Sequence, residues 1–209
     1  MRLHTAALTA TTLLGPAATA GVTIFASSVE SFDQGRLRDS SHIDIVRSNP
    51  LNALNAPQMT YDMNYVSLGW RGSIVLSFGG LITEQVTVWE TSINPPPGHY
   101  EMADIYVGYG DSAANADWWY AGSVDSRFDG QPISLDGASS LAGRDTFSYV
   151  RVTDATPDTS ASMDGFDVDG VGATYAPPPF TPVPVPAPAG AALLGLGGLA
   201  AGRRSRNVR

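Results

Sequence analysis

The chain has 209 residues and no cysteine, and its twelve basic residues are all arginine against twenty acids, for a formal charge of −8. Without cysteine there is no disulfide framework, thiol nucleophile or thiolate-ligated metal. The acidic balance speaks against nucleic acid, whose phosphates require basic patches.

In chain order, the first element is a signal. Arg2 supplies a positive n-region, Ala6 to Leu14 an apolar h-region and Ala18-Thr19-Ala20 an A-x-A site, so residues 1–20 read as a secretory signal peptide cut by signal peptidase. Residues 21–176 then form one domain, long enough to bury a core without staples. They hold seven of the arginines and all twenty acids, a formal charge of −13. That charge suits cation binding or solubility outside the cell.

Within this domain the hydrophobic pattern has a period of two. Strands are predicted at 21–25, 43–46, 73–78, 86–89, 104–107, 118–120, 133–135, 147–152 and 166–169, each short, β-branched or aromatic, and bounded by Gly, Pro, Asn or Asp. No helical stripe is evident, although Pro50 to Pro57 has room for one helical turn. Asn94 to Gly98 and Ala155 to Ser162 read as exposed loops. The expected fold is all-β, a β-sandwich flanked by an N-terminal signal helix and a short C-terminal apolar helix.

After the domain, residues 177–188 form a proline-rich stalk that extends about 3.1 Å per residue. The sorting motif Val185-Pro186-Ala187-Pro188-Ala189 spans the end of this stalk and the first residue of the next segment. An apolar Gly/Ala/Leu segment follows through residues 189–202, then an arginine-rich tail, 203–209, expected to stay cytoplasmic. The apolar segment falls short of the roughly 20 residues of a comfortable membrane span, so it reads as a transient anchor in the inner membrane. These parts resemble the C-terminal sorting signals of the PEP-CTERM class, in the variant whose motif reads Val-Pro-x-Pro-Ala; Ala187 stands where the commoner motif has Glu. The resemblance implies processing by an exosortase-type transpeptidase and delivery to the cell surface.

Three constellations inside the domain could carry chemistry. In Asp164-Gly165-Phe166-Asp167-Val168-Asp169, strand alternation puts Asp167 and Asp169 on one face. Calcium, a hard ion taking six to eight oxygens, is the natural bridge between them. Asp154, Asp164 and Glu90 are the further candidate ligands, and the spacing is not that of an EF-hand. In Trp118-Trp119-Tyr120, Trp118 and Tyr120 share one face and Trp119 takes the other; any exposed ring among them is a candidate carbohydrate platform. Gly110-Asp111-Ser112 is similar to the Gly-Asp-Ser block of one esterase family, but a serine triad needs a histidine. The domain has only His42 and His99, both N-terminal to Ser112.

The core also resembles a group of bacterial cell-surface β-sandwich domains. The resemblance lies in Ser67-Leu68-Gly69, Gly72 to Phe78, Val88-Trp89-Glu90, Tyr100 to Val107, Tyr149 to Asp154 and Asp164 to Asp169. It implies a galactose-binding-like jelly roll and a location outside the cell, but no reaction. Gly108-Tyr109-Gly110-Asp111 stands where the group has Ser-x-Asp-Gly. The expected function is that of an exported, surface-sorted structural or adhesive protein of the extracellular matrix, and not an enzyme. The alternatives are a carbohydrate-binding module recognising exopolysaccharide, and an extracellular glycosidase or other hydrolase.

Overall fold

One eighteen-residue strand, Ser73–Glu90, organises the computed structural model, which describes residues 21–58, 64–92, 96–128 and 130–177. In chain order the strands are β1 (Thr23–Phe25), β2 (Ser28–Asp33), β3 (Val66–Ser67), β4 (Ser73–Glu90), β5 (Met102–Tyr109), β6 (Asp117–Asp125), β7 (Pro132–Ser134), β8 (Phe147–Asp154) and β9 (Asp167–Tyr175). One short helix, α1 (Asp136–Ala142), precedes β8. Every strand pairing is antiparallel.

β4 serves two sheets. Its first part, Ser73–Ser77, runs between β2 and β8, and β8 continues to β5 and β6. Its second part, from Ile82, runs between β7 and β9, and β9 carries β1 and β3. The change of direction falls at Gly79, whose φ of +69° is open to glycine at little cost. The strand thus turns a corner and closes one sheet over the other, as strands that switch sheets do in sandwiches.

The inner faces follow from alternation. Ala103, Ile105 and Val107 on β5, Val150 and Val152 on β8, and Ile74, Leu76, Val86 and Val88 on β4 are all buried. They meet Leu68, Phe147, Phe166 and Val171 in one continuous core. The fold is an antiparallel β-sandwich.

Several sequence expectations are corrected. The runs 73–78 and 86–89 are parts of one strand, because Gly79-Gly80 bends the chain without ending it. Residues 43–46 are not a strand. The Asp44 carboxylate accepts from the Val46 N–H and caps a 3₁₀ turn over Ile45–Arg47. β2 and α1 were not anticipated; α1 buries only Ala138, too little for a stripe. The segment 155–162 is not an exposed loop throughout, since Thr156, Ser160 and Ser162 are buried. The turn expected between Pro50 and Pro57 is a 3₁₀ turn over Pro50–Ala53. Among the described residues no helix is long and apolar enough to cross a membrane. The expected signal peptide, stalk beyond Pro177, sorting motif, apolar segment and arginine tail lie outside the described residues.

Candidate functional site

Three strand ends converge at one end of the sandwich. Glu90 closes β4, Glu101 immediately precedes β5 and Asp167 opens β9. Each places a carboxylate oxygen within 4.8 Å of the other two, and all three residues are buried, Glu101 to 1 % exposure. Ser162 Oγ donates to Glu101 Oε1 at 2.7 Å, and Ser92 Oγ donates to Glu90 Oε1 at 2.7 Å. Glu101 Oε2 and Asp167 Oδ1 are sealed from water with no hydrogen-bond partner. A cleft of about 410 Å³ opens onto the cluster, its wall including Arg47, Tyr65, Ser92, His99 and Asp164.

Electrostatics follow from this crowding. Burial, then the charge of Glu90, pushes the Glu101 carboxyl up to about 10, against the pull of the Ser162 hydroxyl. Burial raises Asp167 well above the usual carboxylate range, with Glu101 and Asp164 adding to it and Ser67 and Arg47 opposing. Three carboxyls cannot all ionise here unless a positive charge joins them.

The sequence-predicted calcium ligands divide. Glu90 and Asp167 belong to the cluster. Asp164 stands on the cleft wall and is paired with Arg47. Asp169 stands outside the cluster, and its Oδ2 accepts from the Gln58 N–H at 3.0 Å. Asp154 is committed elsewhere, accepting from the N–H groups of Arg71 and Phe166, both at 2.9 Å, and from Thr156 Oγ1 at 2.7 Å. Sequence reasoning missed Glu101, yet its phase gives a signal. Residue 101 falls in step with Ala103, Ile105 and Val107, the inward set, while Met102, Asp104 and Tyr106 face outward. A carboxylate in the inward phase is out of place without a partner.

A serine–histidine relay is not built in this cleft. His99 Nε2 lies 3.3 Å from Ser92 Oγ and 3.4 Å from Glu101 Oε1. One nitrogen faces both groups, whereas a relay needs the two ring nitrogens to take opposite partners.

The second surface is the outer face of the sheet β8–β5–β6. Register sets Tyr149, Gly108 and Trp118 in one row, and Arg151, Tyr106 and Tyr120 in the next. The Trp118 and Tyr149 ring centroids are 6.4 Å apart, and those of Tyr106 and Tyr120 are 5.5 Å apart, edge to face. The Arg151 guanidinium lies between the rows, 4.5 Å from the Trp118 ring and 4.7 Å from that of Tyr106. Among the described residues Arg151 makes no ion pair and no side-chain hydrogen bond, so its donors are held in place by rings alone. Beside this cluster, Tyr120 Oη and Ser123 Oγ are 2.7 Å apart, and Ser123 donates to Asp104 at 2.6 Å. Tyr120 is 49 % exposed. Trp119 points to the other face, where its ring packs 5.9 Å from that of Phe147 against the core.

No protein-family model and no curated protein sequence matches the chain. Among solved structures, a truncated AlyQ with CBM32 and alginate lyase domains is similar at TM-score 0.45 and 14 % identity, over 78 % of this chain and 36 % of that one. The chain therefore spans about a third of that protein's length. The CBM32 of AlyQ in complex with 4,5-unsaturated mannuronic acid is similar at TM-score 0.40 and 12 % identity, over 74 % of this chain and 99 % of that one. Reduced XRCC1 bound to the DNA polymerase β catalytic domain gives the same score and identity, over 75 % of this chain and 100 % of that one. These scores leave the reading of both surfaces to their own geometry.

Proposed function

We propose that this chain is an exported, non-catalytic glycan-binding domain displayed at the cell surface. The observation that carries this reading is the ring-and-arginine face of β8–β5–β6. Trp118, Tyr106 and Tyr120 offer ring faces and edges to the C–H faces of sugars, Tyr120 being open to solvent, while the buried Tyr149 backs the Trp118 ring from below. Arg151 brings a guanidinium with no counter-charge among the described residues. In a domain of formal charge −13, such a group is suited to a carboxylate on the ligand, as in a uronic-acid polysaccharide, or to adjacent hydroxyls. The sorting signal read from residues 185–209 supports delivery to the surface, where an acidic exopolysaccharide is the fitting partner. The buried, crowded carboxyls beside the cleft favour an ion over a sugar ring, which speaks for a binding role over glycoside hydrolysis.

The test is titration calorimetry of the secreted protein against uronate-bearing and neutral polysaccharides. Binding should weaken about tenfold or more in Trp118→Ala, and Arg151→Ala should weaken the uronate-bearing ligand more than the neutral one. Equal affinities for wild type and Trp118→Ala, or no binding to any extracellular polysaccharide, would refute the reading.

A further inference from the structure

We infer that Glu90, Glu101 and Asp167 form a calcium site that clamps the two sheets together at one end of the sandwich. The observations are independent of the aromatic face and of the glycan reading. The first is convergence: three carboxylates from three strand ends lie within 4.8 Å of one another. Calcium holds oxygens at about 2.3–2.6 Å, so one ion reaches all three.

The second observation is the pair of orphaned oxygens. Glu101 Oε2 and Asp167 Oδ1 are buried and accept no hydrogen bond, on residues 1 % and 6 % exposed. Buried acceptors are nearly always satisfied, and an exception calls for an unseen ion, water or proton. A lone proton serves one acceptor, whereas a divalent cation satisfies several at once and cancels the repulsion among the carboxylates.

The donor chemistry selects the ion. All three groups are hard oxygens, which suit calcium or magnesium over softer metals. Magnesium demands a near-ideal octahedron and sheds water reluctantly, while calcium accepts irregular sets of six to eight oxygens. The 410 Å³ cleft beside the cluster has room for the waters that would complete such a shell. The mechanical consequence follows from topology. Glu90 and Asp167 belong to the sheet of β4's second half and β9, and Glu101 leads into β5 of the other sheet. The ion therefore ties the layers across the core at their open end.

The experiment strips the secreted protein with chelator and titrates calcium, then magnesium, by calorimetry and thermal melting. Calcium should bind at one equivalent. At a hundredfold excess over its dissociation constant it should raise the melting midpoint by roughly 5–10 °C. Glu101→Gln, which keeps a partner for Ser162, should fold yet lose the stoichiometric binding and the shift. Asp169→Asn should keep both. Failure of calcium to bind the stripped wild-type protein would overturn the inference without any variant. So would tighter uptake of magnesium than calcium, or an unchanged calcium response in Glu101→Gln. None of these results bears on polysaccharide binding by the aromatic face.

Discussion

Gly108 lies directly under the ring of Trp118: a Cβ on residue 108 would sit 2.7 Å from Cζ3 of the indole. The missing side chain lets the indole lie flat on the sheet, within range of Tyr149 and Arg151. Gly108→Ala should push the ring off the surface. The expected cost is about 1–3 kcal/mol of stability, as for other overpacked sites, with a fall in glycan affinity. Urea unfolding and tryptophan fluorescence would read the first effect and calorimetry the second. Wild-type stability and affinity in this variant would show that the glycine does not set the position of the ring.

The adjacent tryptophans should separate binding from folding. Trp118 lies on the outer face, so Trp118→Ala should weaken polysaccharide binding about tenfold or more, each tenfold being 1.4 kcal/mol, while the protein stays folded. Trp119 packs on Phe147 at the core, so Trp119→Ala should destabilise by about 3 kcal/mol. Its affinity, measured on the folded fraction, should hold. A reversed pattern would mean that the ligand is not on this face.

Much of the sandwich is legible in the period of two, because inward and outward sets are chemically distinct on β5 and β8. The exceptions have local causes. Gly79-Gly80 imitates a turn between strands but bends a single one, and nothing in a linear pattern tells the two apart. Asp44 caps its own turn and so overrides the apolar alternation of Ile43 and Ile45. The candidate sites were legible by face but not by partner. Alternation separates Trp118 and Tyr120 from Trp119, yet Arg151 and Tyr149 join them only through the pairing of β5 with β8. Glu90 and Asp167 stand out as acids, but their meeting with Glu101 depends on the closure of two sheets, which no local spacing encodes.

Processing is a separate prediction. The Ala18-Thr19-Ala20 site and the Val185–Ala189 motif, followed by an apolar segment and arginines, predict a mature chain that begins near Gly21 and lacks residues 203–209. Intact mass measurement of the surface-released protein checks both ends. A released chain that still carries Arg203–Arg209 would rule out cleavage at the motif. Replacement of Pro186 and Ala189 should leave the precursor in the membrane fraction.

The largest single loss of stability should come from Asp154, although it binds neither sugar nor ion. Asp154 is 4 % exposed, and its carboxylate gathers the Arg71 N–H, the Phe166 N–H and the Thr156 hydroxyl. Three segments of the core resemblance meet there: the turn from Gly69 to Gly72, the end of β8, and Asp164-Gly165-Phe166. Gly165, at φ +72°, must be glycine for the approach, since a Cβ would stand 2.8 Å from Asp154 Oδ1 and from the Gly69 carbonyl oxygen. Removing the carboxylate strands one buried amide donor, that of Phe166, and the buried Thr156 hydroxyl, each costing about 1–3 kcal/mol, and a part-buried amide, that of Arg71, which water can reach. Asp154→Ala should therefore cost about 3–5 kcal/mol, more than Gly108→Ala or Trp118→Ala. Asp154→Asn should cost less, because one acceptor oxygen remains. Urea unfolding followed by tryptophan fluorescence and far-UV circular dichroism gives both values. A cost below 1 kcal/mol for Asp154→Ala would show that these donors find water and that the three segments hold together by packing alone.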